Sequence, residues 1–492
     1  MAVDTAGSHQ DAPTDDPPLF VDLDGTLVRT DLLVESFLAR VRRSPGVALA
    51  VLAWLPRGRA FLKARLAEGD PLDASTLPYH ETLVERLREE ARRGRRLVLA
   101  TAAHRSLAEA VAGHLGFFSE VLASDGERNL RGRTKLEAIR ACAGEAPFDY
   151  AGNAREDLPI WAEARCALLV AASPSVEARA RRHGNVTDSL PSPPRRGAWW
   201  RALRPHQWLK NALVVVPLLT SVSFVAPEAW LRSGLAFAAF CALSSCAYVL
   251  NDLLDLAADR AHPEKRSRPF AAGALAPTSG LVLATALGTI GGLLALALPP
   301  AFGVLAGAYL ATTLAYSLFL KDVSMADVVT LALLYTVRIV AGVAALGVAL
   351  SFWLLAFSIF VFASLALMKR CTEIVMWRER GAEEASVRGY RVSDQAVMQS
   401  IGVGCACVAV LILALYIHSP EVTTRLRTPE ILWPVCVVML WWLGRAWLWA
   451  ARGQMPSDPL VFAWKDPASL VAGAITVALF GAAALVQVPR LL

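Results

Sequence analysis

Hydrophobic residues are distributed very unevenly along this chain of 492 residues. Up to about residue 195 the sequence is charged and broken into short segments, whereas from about residue 208 onward long apolar stretches alternate with short polar ones. A helix needs ~20 consecutive apolar residues to cross a bilayer. By that criterion the chain predicts about nine membrane spans, centred near residues 218, 241, 286, 310, 335, 359, 407, 438 and 479. A soluble domain followed by an all-α polytopic membrane domain is therefore expected.

The placement of lysine and arginine predicts the orientation of the spans, because cytoplasmic loops carry the excess of these residues. The segment before the first span and the even-numbered loops hold 19 of them, and the opposite side holds about four. This places the amino-terminal half on the cytoplasmic side of a cell (inner or plasma) membrane and the carboxyl terminus outside. The eight cysteines are scattered without a CxxC pair, as is typical of reduced packing residues.

The amino-terminal half reads as a soluble α/β domain. Residues 1–18 are acidic, polar and proline-bearing, without the basic and apolar regions of a signal peptide, and predict a disordered lead-in. From Leu19 five short apolar runs alternate with helical segments, which predicts a parallel, doubly wound sheet with ligands beyond the carboxyl ends of its strands. Asp22 and Asp24 follow the first run, and two such carboxylates can divide the roles of nucleophile and acid/base.

An acidic motif closes the second predicted span, where residues 251–269 read NDLLDLAADRAHPEKRSRP. Asp252, Asp255 and Asp259 are spaced i, i+3 and i+7, so on one helix they share a face, with Asn251 beside them. Such a face repels itself, which predicts a divalent cation, most plausibly Mg2+ shared with substrate phosphates. The cations that suit the remaining phosphate oxygens follow at once: Lys265, Arg266 and Arg268. The alternative is a solvated helix end with ion pairs.

The soluble half resembles the haloacid dehalogenase (HAD) phosphatases over about residues 19–188. The resemblance is carried by DLDGT, a Thr that closes the second apolar run, a downstream Lys and GNAREDLPIW. It implies a two-step phosphoryl transfer in which Asp22 attacks phosphorus and Asp24 protonates the leaving alcohol and then activates water. Thr101 would hold a phosphoryl oxygen, and Lys135 would offset its charge.

The same resemblance implies Mg2+ held by Asp22, by the backbone carbonyl of Asp24 and by the fourth motif, with a helical cap over about residues 30–85. In the fourth motif this chain has Asn153 where the family usually has Asp, and Asp157 is the only acid left. An amide oxygen coordinates Mg2+ without adding charge, so weaker metal affinity is expected. A working phosphatase and a degenerate domain kept for docking or folding both stay open.

The membrane half resembles the UbiA superfamily of intramembrane prenyltransferases over about residues 199–489. The matching features are the NDxxDxxxD run, the RP at 268–269 and the YSLFLK that ends at Lys321. Three further stretches resemble most the branch that makes polyprenylphosphoryl phosphoribose: RPHQWLKN, ADRAHPEKRSRPFAAG, and MKRCTEI with the later RGY. The domain plan is thus a lead-in at 1–18, a HAD-like domain at 19–188, a linker at 189–198 and a UbiA-like transferase at 199–492.

Charged residues in the membrane half are candidates for substrate contact. Arg338 lies inside an apolar span, where an ionisable residue marks a functional position, although an ion pair with Asp327 is the alternative. Glu373 either pairs with Lys369 or touches the ribose or a metal. The predicted substrate-binding residues of the whole chain are Thr101, Lys135, Asn251, Lys265, Arg266, Arg268, Tyr316, Lys321, Arg338, Lys369, Arg370 and Glu373.

The resemblance implies Mg-dependent transfer of 5-phosphoribose from phosphoribosyl pyrophosphate to a polyprenyl phosphate drawn from the lipid bilayer. Asp252, Asp255 and Asp259 would hold Mg2+ on the pyrophosphate, and the fused phosphatase would act on the product at high local concentration. The alternative is prenyl transfer from a prenyl diphosphate to an aromatic or quinone-precursor acceptor, with the HAD-like domain independent or an inactive docking module. No nucleic-acid partner is predicted, and the lipid length and the oligomeric state stay open.

Overall fold

The computed structural model describes residues 16–68, 72–191, 196–220, 226–379, 389–423, 426–456 and 458–485. Its contacts divide the chain into two compact units. The first contains the described residues up to Leu203 together with Tyr248–Thr285, and the second contains Arg204–Ala247 and the described residues from Ala286 onward. The acidic motif therefore belongs, by its contacts, to the same unit as the soluble half. Most of the predicted lead-in and residues 192–195 of the predicted linker lie outside the described residues.

The soluble half is built on a parallel sheet of six strands, which confirms the predicted doubly wound α/β fold. Their spatial order is β3-β2-β1-β4-β5-β6. The strands are β1 Leu19–Val21, β2 Leu97–His104, β3 Glu120–Ser124, β4 Asp149–Gly152, β5 Cys166–Val170 and β6 Val186–Leu190. Residues alternate between the two faces, so that Leu19 and Val21 join one apolar cluster and Phe20 joins the other.

Strand β6 is an addition to the five predicted runs, and its last two residues lie in the predicted linker. It pairs in parallel with β5 alone, at the edge of the sheet. Its sequence, VTDSL, is mostly polar and only partly buried. An edge strand with one covered side needs no continuous apolar run, which is why this segment reads as a linker in the sequence.

Helices connect the strands. The first three fall within the predicted cap insertion between β1 and β2. The connecting helices are α1 Leu32–Arg43, α2 Val47–Trp54, α3 Arg59–Ala67, α4 Glu81–Arg92, α5 Arg105–Leu115, α6 Arg133–Ala143, α7 Leu158–Trp161 and α8 Pro174–Ala180. Since β1 lies between β2 and β4, the residues that follow these three strands share one edge of the sheet.

Helices dominate the rest of the chain. Among the described residues, eight are long and apolar enough to cross a membrane. These eight are α11 Pro227–Leu254, α13 Pro277–Leu296, α14 Pro300–Leu318, α15 Ala326–Leu346, α16 Phe352–Glu379, α17 Gln395–Ile417, α19 Trp433–Ala451 and α21 Pro467–Leu485. The shorter helices are α9 Ala198–Leu203, α10 Val216–Thr220, α12 Leu256–Ala261, α18 Pro420–Thr423 and α20 Pro459–Lys465. The eight long helices coincide with eight of the nine predicted spans.

The span predicted near residue 218 has a different local structure. A 3-10 helix, Pro205–Val215, passes into α10, Val216–Thr220, and residues 221–225 lie outside the described residues, so a span here stays a prediction. Pro217 is the second residue of α10, where proline is tolerated because the N–H groups of a first turn have no partner within the helix. The segment packs closely against α15, where a Cβ on Gly342 would overlap the Val214 carbonyl oxygen. It thus forms part of the helical core.

Candidate active sites

The end of β1 presents the first acidic pair. Asp22 follows the strand directly, and its N–H donates to the Ala151 carbonyl of β4 at 2.9 Å. Gly25 turns the chain with a φ of +76°, a conformation that favours glycine. The register of the sheet therefore fixes Asp22 and Asp24 at the edge where β2 and β4 also end.

A buried lysine holds one oxygen of Asp22. Lys135 Nζ, from α6, donates to Asp22 Oδ1 at 2.8 Å and to the Tyr150 hydroxyl at 3.0 Å. Burial raises the pKa of Asp22 to about 6, although Lys135 opposes that shift. Burial alone would lower the pKa of Lys135, but Asp22 and Asp157 outweigh it and raise it. Lys135 is thus a fixed positive charge that orients Asp22.

Asp24 lies in a different environment from Asp22. Its Oδ1 accepts a hydrogen bond of 2.9 Å from the N–H of Leu32, the first residue of α1. Burial raises the pKa of Asp24 to about 7, and Asp31 adds to that shift. A carboxyl group with a pKa near neutrality can both give and take a proton. The environment is therefore suited to the acid/base role expected of Asp24.

Thr101 is fully buried in β2, on the strand next to β1. Its Oγ1 accepts a hydrogen bond from the N–H of Ala103 at 3.0 Å. Because the oxygen accepts in this contact, the hydroxyl proton can be donated to a phosphoryl oxygen.

Asn153 and Asp157 of the fourth motif have different surroundings. Asp157 Oδ2 accepts from the N–H groups of Asn153 and Ala154, at 3.1 and 3.0 Å, and Oδ1 accepts from Tyr150 at 2.8 Å. These donors make Asp157 the residue that holds the loop, and its predicted role as a metal ligand stays a prediction. The Asn153 amide lies against the turn at Gly25, where an added Cβ would overlap it.

The oxygen atoms at this edge fit a magnesium ion. Asp22 has a second carboxylate oxygen, Asp24 a backbone carbonyl and Asn153 an amide oxygen, and all three are hard ligands of the kind Mg2+ prefers. Only one of the three carries a full charge. Asn153, which lies beside the turn, is better placed than Asp157 to complete this set.

The acidic motif of the first unit is not one straight helix. Helix α11 ends at Leu254, Asp255 has a φ of −100° and a ψ of 16°, and α12 begins at Leu256. The expectation that the three carboxylates share one helical face stays a prediction. The Asp255 side chain lies 3.4 Å from Nε of Arg42, on α1. Backbone hydrogen bonds from Asp255 to Asn251 and from Asp259 to Asp255 continue across the break, and the carboxylates differ in their ion-pair partners.

Asp252 and Asp259 converge on one cationic atom. Arg268 Nη1 lies 3.2 Å from Asp252 Oδ1 and 2.6 Å from Asp259 Oδ2. The two carboxylates are 2% and 4% exposed, whereas the arginine side chain is 25% exposed. The motif thus carries the ion pairs of the alternative interpretation, and the same two carboxylates could also hold a divalent cation.

The donor set at this second centre also fits Mg2+. No group of three or more His, Cys, Asp or Glu side chains in the described part of the chain is arranged to hold a metal ion. Magnesium is commonly bound by one or two carboxylates and completed by substrate phosphates. Asp252 and Asp259 supply the first part. Asn251 and Lys265 are half-buried nearby in sequence, and Arg266 is exposed.

Three of the predicted substrate-binding residues form a closed network in the second unit. Arg370 donates to Asp327 and Glu373, both at 2.5 Å, and to the Tyr316 hydroxyl at 2.9 Å. Tyr390 also donates to Asp327. Arg370 is 1% exposed and Asp327 is fully buried. The network joins α14, α15 and α16 and neutralises the charge of Arg370.

Arg338 does not pair with Asp327, so that alternative is wrong. Its Nε donates to Asn211 Oδ1 at 3.0 Å and its Nη2 to the Tyr309 hydroxyl at 2.9 Å, while Nη1 donates to the Leu334 carbonyl. The guanidinium also lies 4.7 Å from the centre of the Tyr309 ring. Arg338 is thus held by neutral acceptors and ties α14 and α15 to the segment before α10.

Lys369 is a predicted cation that lies beside a cavity. It lines a small cavity with Leu331, Tyr335 and Asp458. Lys210 forms an ion pair with Asp458 at the same cavity. Lys369 makes no hydrogen bond or ion pair within the described ranges, and a lysine so placed in an apolar helix favours an anionic ligand. Lys321 lies apart in sequence, half-buried in a 3-10 turn after α14.

Several site residues lie outside the sequence predictions. Tyr150 bridges Lys135 and Asp157, and Tyr309 and Asn211 hold Arg338. Lys210 and Asn211 belong to the RPHQWLKN stretch, so the sequence carried a signal for them. Tyr150 and Tyr309 lie in apolar segments, where an aromatic residue reads as core and only its packed neighbours reveal a polar role.

Comparison with known families agrees with this architecture. Residues 214–465 match the UbiA prenyltransferase family, and residues 19–161 match the haloacid dehalogenase-like hydrolases. The chain belongs to the UbiA prenyltransferase family and carries a HAD-like domain at its amino-terminal end, as both resemblances implied. The eight apolar helices among its described residues, together with this family, indicate an integral membrane protein.

Individual relatives share one or both halves. The uncharacterized protein y4nM of Sinorhizobium fredii is 37% identical over 472 residues, which cover 94% of this chain and 90% of that protein. The nodulation protein NoeC of Azorhizobium caulinodans is 37% identical over 273 residues, or 55% of this chain and 88% of NoeC. A decaprenyl-phosphate phosphoribosyltransferase of Mycolicibacterium smegmatis is 32% identical over 198 residues, covering 39% of this chain and 62% of the relative.

Proposed function

We propose that the membrane domain transfers 5-phosphoribose from phosphoribosyl pyrophosphate to a polyprenyl phosphate, and that the HAD-like domain then removes the 5-phosphate. The observation that carries the proposal is the convergence of Asp252 and Asp259 on a single cationic atom. A diphosphate is the substrate group that completes such a pair, because it supplies both the missing oxygen ligands and the leaving group.

The choice of a ribosyl donor rests on two lines of support. The Mycolicibacterium relative is named for phosphoribosyl transfer to decaprenyl phosphate. The stretches RPHQWLKN, ADRAHPEKRSRPFAAG and MKRCTEI also resemble the branch that makes polyprenylphosphoryl phosphoribose.

When bound, Mg2+ stabilises the leaving diphosphate at one centre and the phosphoryl group at the other. Asp252 and Asp259 would hold the ion, and Arg268, Lys265 and Arg266 would offset the charge of the donor's diphosphate. An oxygen of the lipid phosphate attacks the anomeric carbon of the ribose, and the bond from that carbon to the pyrophosphate oxygen breaks. The lipid phosphate is already ionised, so the step needs no base.

The phosphatase step uses the strand-end acids. Asp22 attacks the phosphorus of the 5-phosphate while Lys135 and Thr101 hold phosphoryl oxygens, and Asp24 gives its proton to the departing sugar oxygen. Asp24 then takes a proton from water, which releases inorganic phosphate from Asp22 and leaves a lipid-linked ribose. The pKa of Asp24, raised to about 7 by burial, suits both halves of this cycle.

Both active sites are proposed to act on the cytoplasmic side of a cell membrane, because the lysine and arginine residues concentrate there in the predicted topology. Phosphoribosyl pyrophosphate is a soluble, strongly charged donor. A cytoplasmic site makes it available without transport, and the carboxyl terminus would then lie outside.

A donor competition tests the proposal. The purified full-length protein in lipid is given Mg2+, polyprenyl phosphate and labelled phosphoribosyl pyrophosphate, or a prenyl diphosphate with an aromatic acceptor. The expected result is a labelled lipid ribose and free pyrophosphate in the first reaction and no turnover in the second. Turnover of the prenyl diphosphate alone would contradict the ribosyl assignment.

A further inference from the structure

Helix α1 of the soluble half contacts the acidic motif through a buried ion pair. Both oxygens of Glu35 accept from Arg260, on α12, at distances of 2.8 and 2.5 Å. The two side chains are 3% and 7% exposed. The Thr30 hydroxyl also donates to Glu35. A bidentate pair buried to this degree holds its partners in a fixed geometry.

Arg260 is the residue next to Asp259, so its position bears on the carboxylate pair. Its Nε donates to the carbonyl of Ala271 at 3.1 Å. One guanidinium therefore joins α12, the loop after it and α1. The contact between Arg42 and Asp255 adds a second ion pair between α1 and the same motif.

Close backbone packing supports the same contact independently of charge. Gly273 has a φ of +66°, and a Cβ there would lie 2.7 Å from Arg29 Cβ and 3.2 Å from Pro78 Cβ. The loop after the acidic motif thus touches the soluble half at a position that only glycine fits.

The other end of the contact is the phosphatase centre. Glu35 lies in the first turn of α1, whose first residue, Leu32, donates to the carboxylate of Asp24. Helix α1 therefore contacts both proposed sites. It donates to Asp24, the general acid of the phosphatase, and it pairs with Arg260, the neighbour of Asp259 in the transferase.

We propose that Glu35 is a positioning residue for the transferase: by fixing Arg260 it holds α12 so that Asp259 converges with Asp252. The HAD-like domain would then serve the transferase as part of its structure, in addition to its own chemistry. The test by transfer activity rests on the proposed function, whereas the test by hydrogen exchange does not. Loss of a residue that orients a metal ligand commonly costs roughly 10- to 100-fold in metal affinity.

The test compares Glu35→Gln with Glu90→Gln, which removes an ion pair with Arg95 elsewhere in the soluble half. Glu35→Gln should raise the Mg2+ concentration for half-maximal transfer and the donor KM by about tenfold, with a smaller change in kcat. Hydrolysis of p-nitrophenyl phosphate should stay within about twofold. The double variant Glu35→Arg with Arg260→Glu exchanges the two charges and should bring the Mg2+ concentration for half-maximal transfer part of the way back to the wild-type value. A change that only destabilised the fold would show no such recovery.

A second measurement separates this inference from the proposed function. Hydrogen exchange of the full-length protein in EDTA should show faster exchange at residues 256–275 in Glu35→Gln but not in Glu90→Gln. Gly273→Ala should do the same without a change of charge, compared with Gly184→Ala, where an added Cβ meets open space at a similar φ. Failure of the wild-type protein to use the ribosyl donor would refute the proposed function and leave the exchange test intact. Unchanged exchange in both Glu35→Gln and Gly273→Ala would overturn the positioning role.

Discussion

The two acidic centres of this protein are held by different kinds of structure. Asp22 and Asp24 follow one strand, and the sheet register fixes them through the bond from Asp22 to Ala151. Asp252 and Asp259 lie on either side of a helix interruption and meet only around Arg268. A strand end thus places two carboxylates through local backbone geometry, whereas the helix end needs ion pairs from distant residues to do so.

The centres also differ in how their charge is balanced. Lys135 is a buried lysine that stays with Asp22, while Arg268 is partly exposed and lies between two acids. We therefore expect the first centre to keep its geometry without bound metal. We also expect it to bind Mg2+ weakly, because Asn153 adds no charge to the ligand set. The second should depend on its cation more strongly.

We expect the largest effect from a variant that inactivates the phosphatase centre alone. Asp22→Asn should lower phosphatase activity by roughly 10⁴-fold or more, because the nucleophile is lost. Transfer should continue, so the phosphorylated lipid ribose should accumulate, as measured by mass spectrometry of the lipid extract. Asp16→Asn is the matched control. If the phosphorylated product does not accumulate while transfer continues, the HAD-like domain does not act on it.

Breaking the second centre should give the next largest effect. Asp252→Asn combined with Asp259→Asn should lower transfer by roughly 100-fold or more, since the diphosphate loses its electrostatic anchor. Hydrolysis of p-nitrophenyl phosphate should be retained. The control Glu264→Gln removes an exposed acid from the loop that follows α12 and should change little. Equal losses in the double variant and in this control would refute the role given to the pair.

The pH dependence of the phosphatase should report the two environments of the first centre. Asp22 must be ionised to attack, and its pKa is raised to about 6, so kcat/KM should fall on the acid side. Asp24 must be protonated to act as the acid, and its pKa is raised to about 7, so kcat/KM should fall roughly tenfold per pH unit above that value. Added Mg2+ should move the acid limb to lower pH and leave the alkaline limb in place, because a cation favours the ionised form of Asp22. An alkaline limb that moves with Mg2+ would contradict the role of Asp24.

We expect the smallest effect from a variant that adds one negative charge to the phosphatase centre. Asn153→Asp should lower the Mg2+ concentration for half-maximal phosphatase activity by about fivefold, because a carboxylate adds charge to the ligand set. The matched change Asn129→Asp alters a residue that instead accepts from Lys63. The Mg2+ dependence of transfer should not change. If the Mg2+ concentration for half-maximal phosphatase activity is unchanged in Asn153→Asp, Asn153 is not a ligand of the metal.

Local pattern was sufficient for some features and insufficient for others. The β1 sequence LFV and the acids after it predicted a strand end with its chemistry, because a short buried strand leaves few alternatives. The partner of Arg338 could not be predicted, since Asp327 and Asn211 are both compatible with the sequence and only helix packing selects Asn211. Strand β6 was missed because an edge strand lacks the strong hydrophobic pattern of a core element.

By itself, the sequence determined the two domain classes, the two acidic motifs and the eight long apolar helices of the described residues, because long apolar runs and strand-end acids act through local chain geometry. Tertiary structure alone decided which acids meet. It turned Asp255 toward α1, joined Asp252 and Asp259 around Arg268, and placed Glu35 on Arg260 across 225 positions of chain. Ion pairs between distant residues depend on how whole helices pack, and no short window of sequence contains that information.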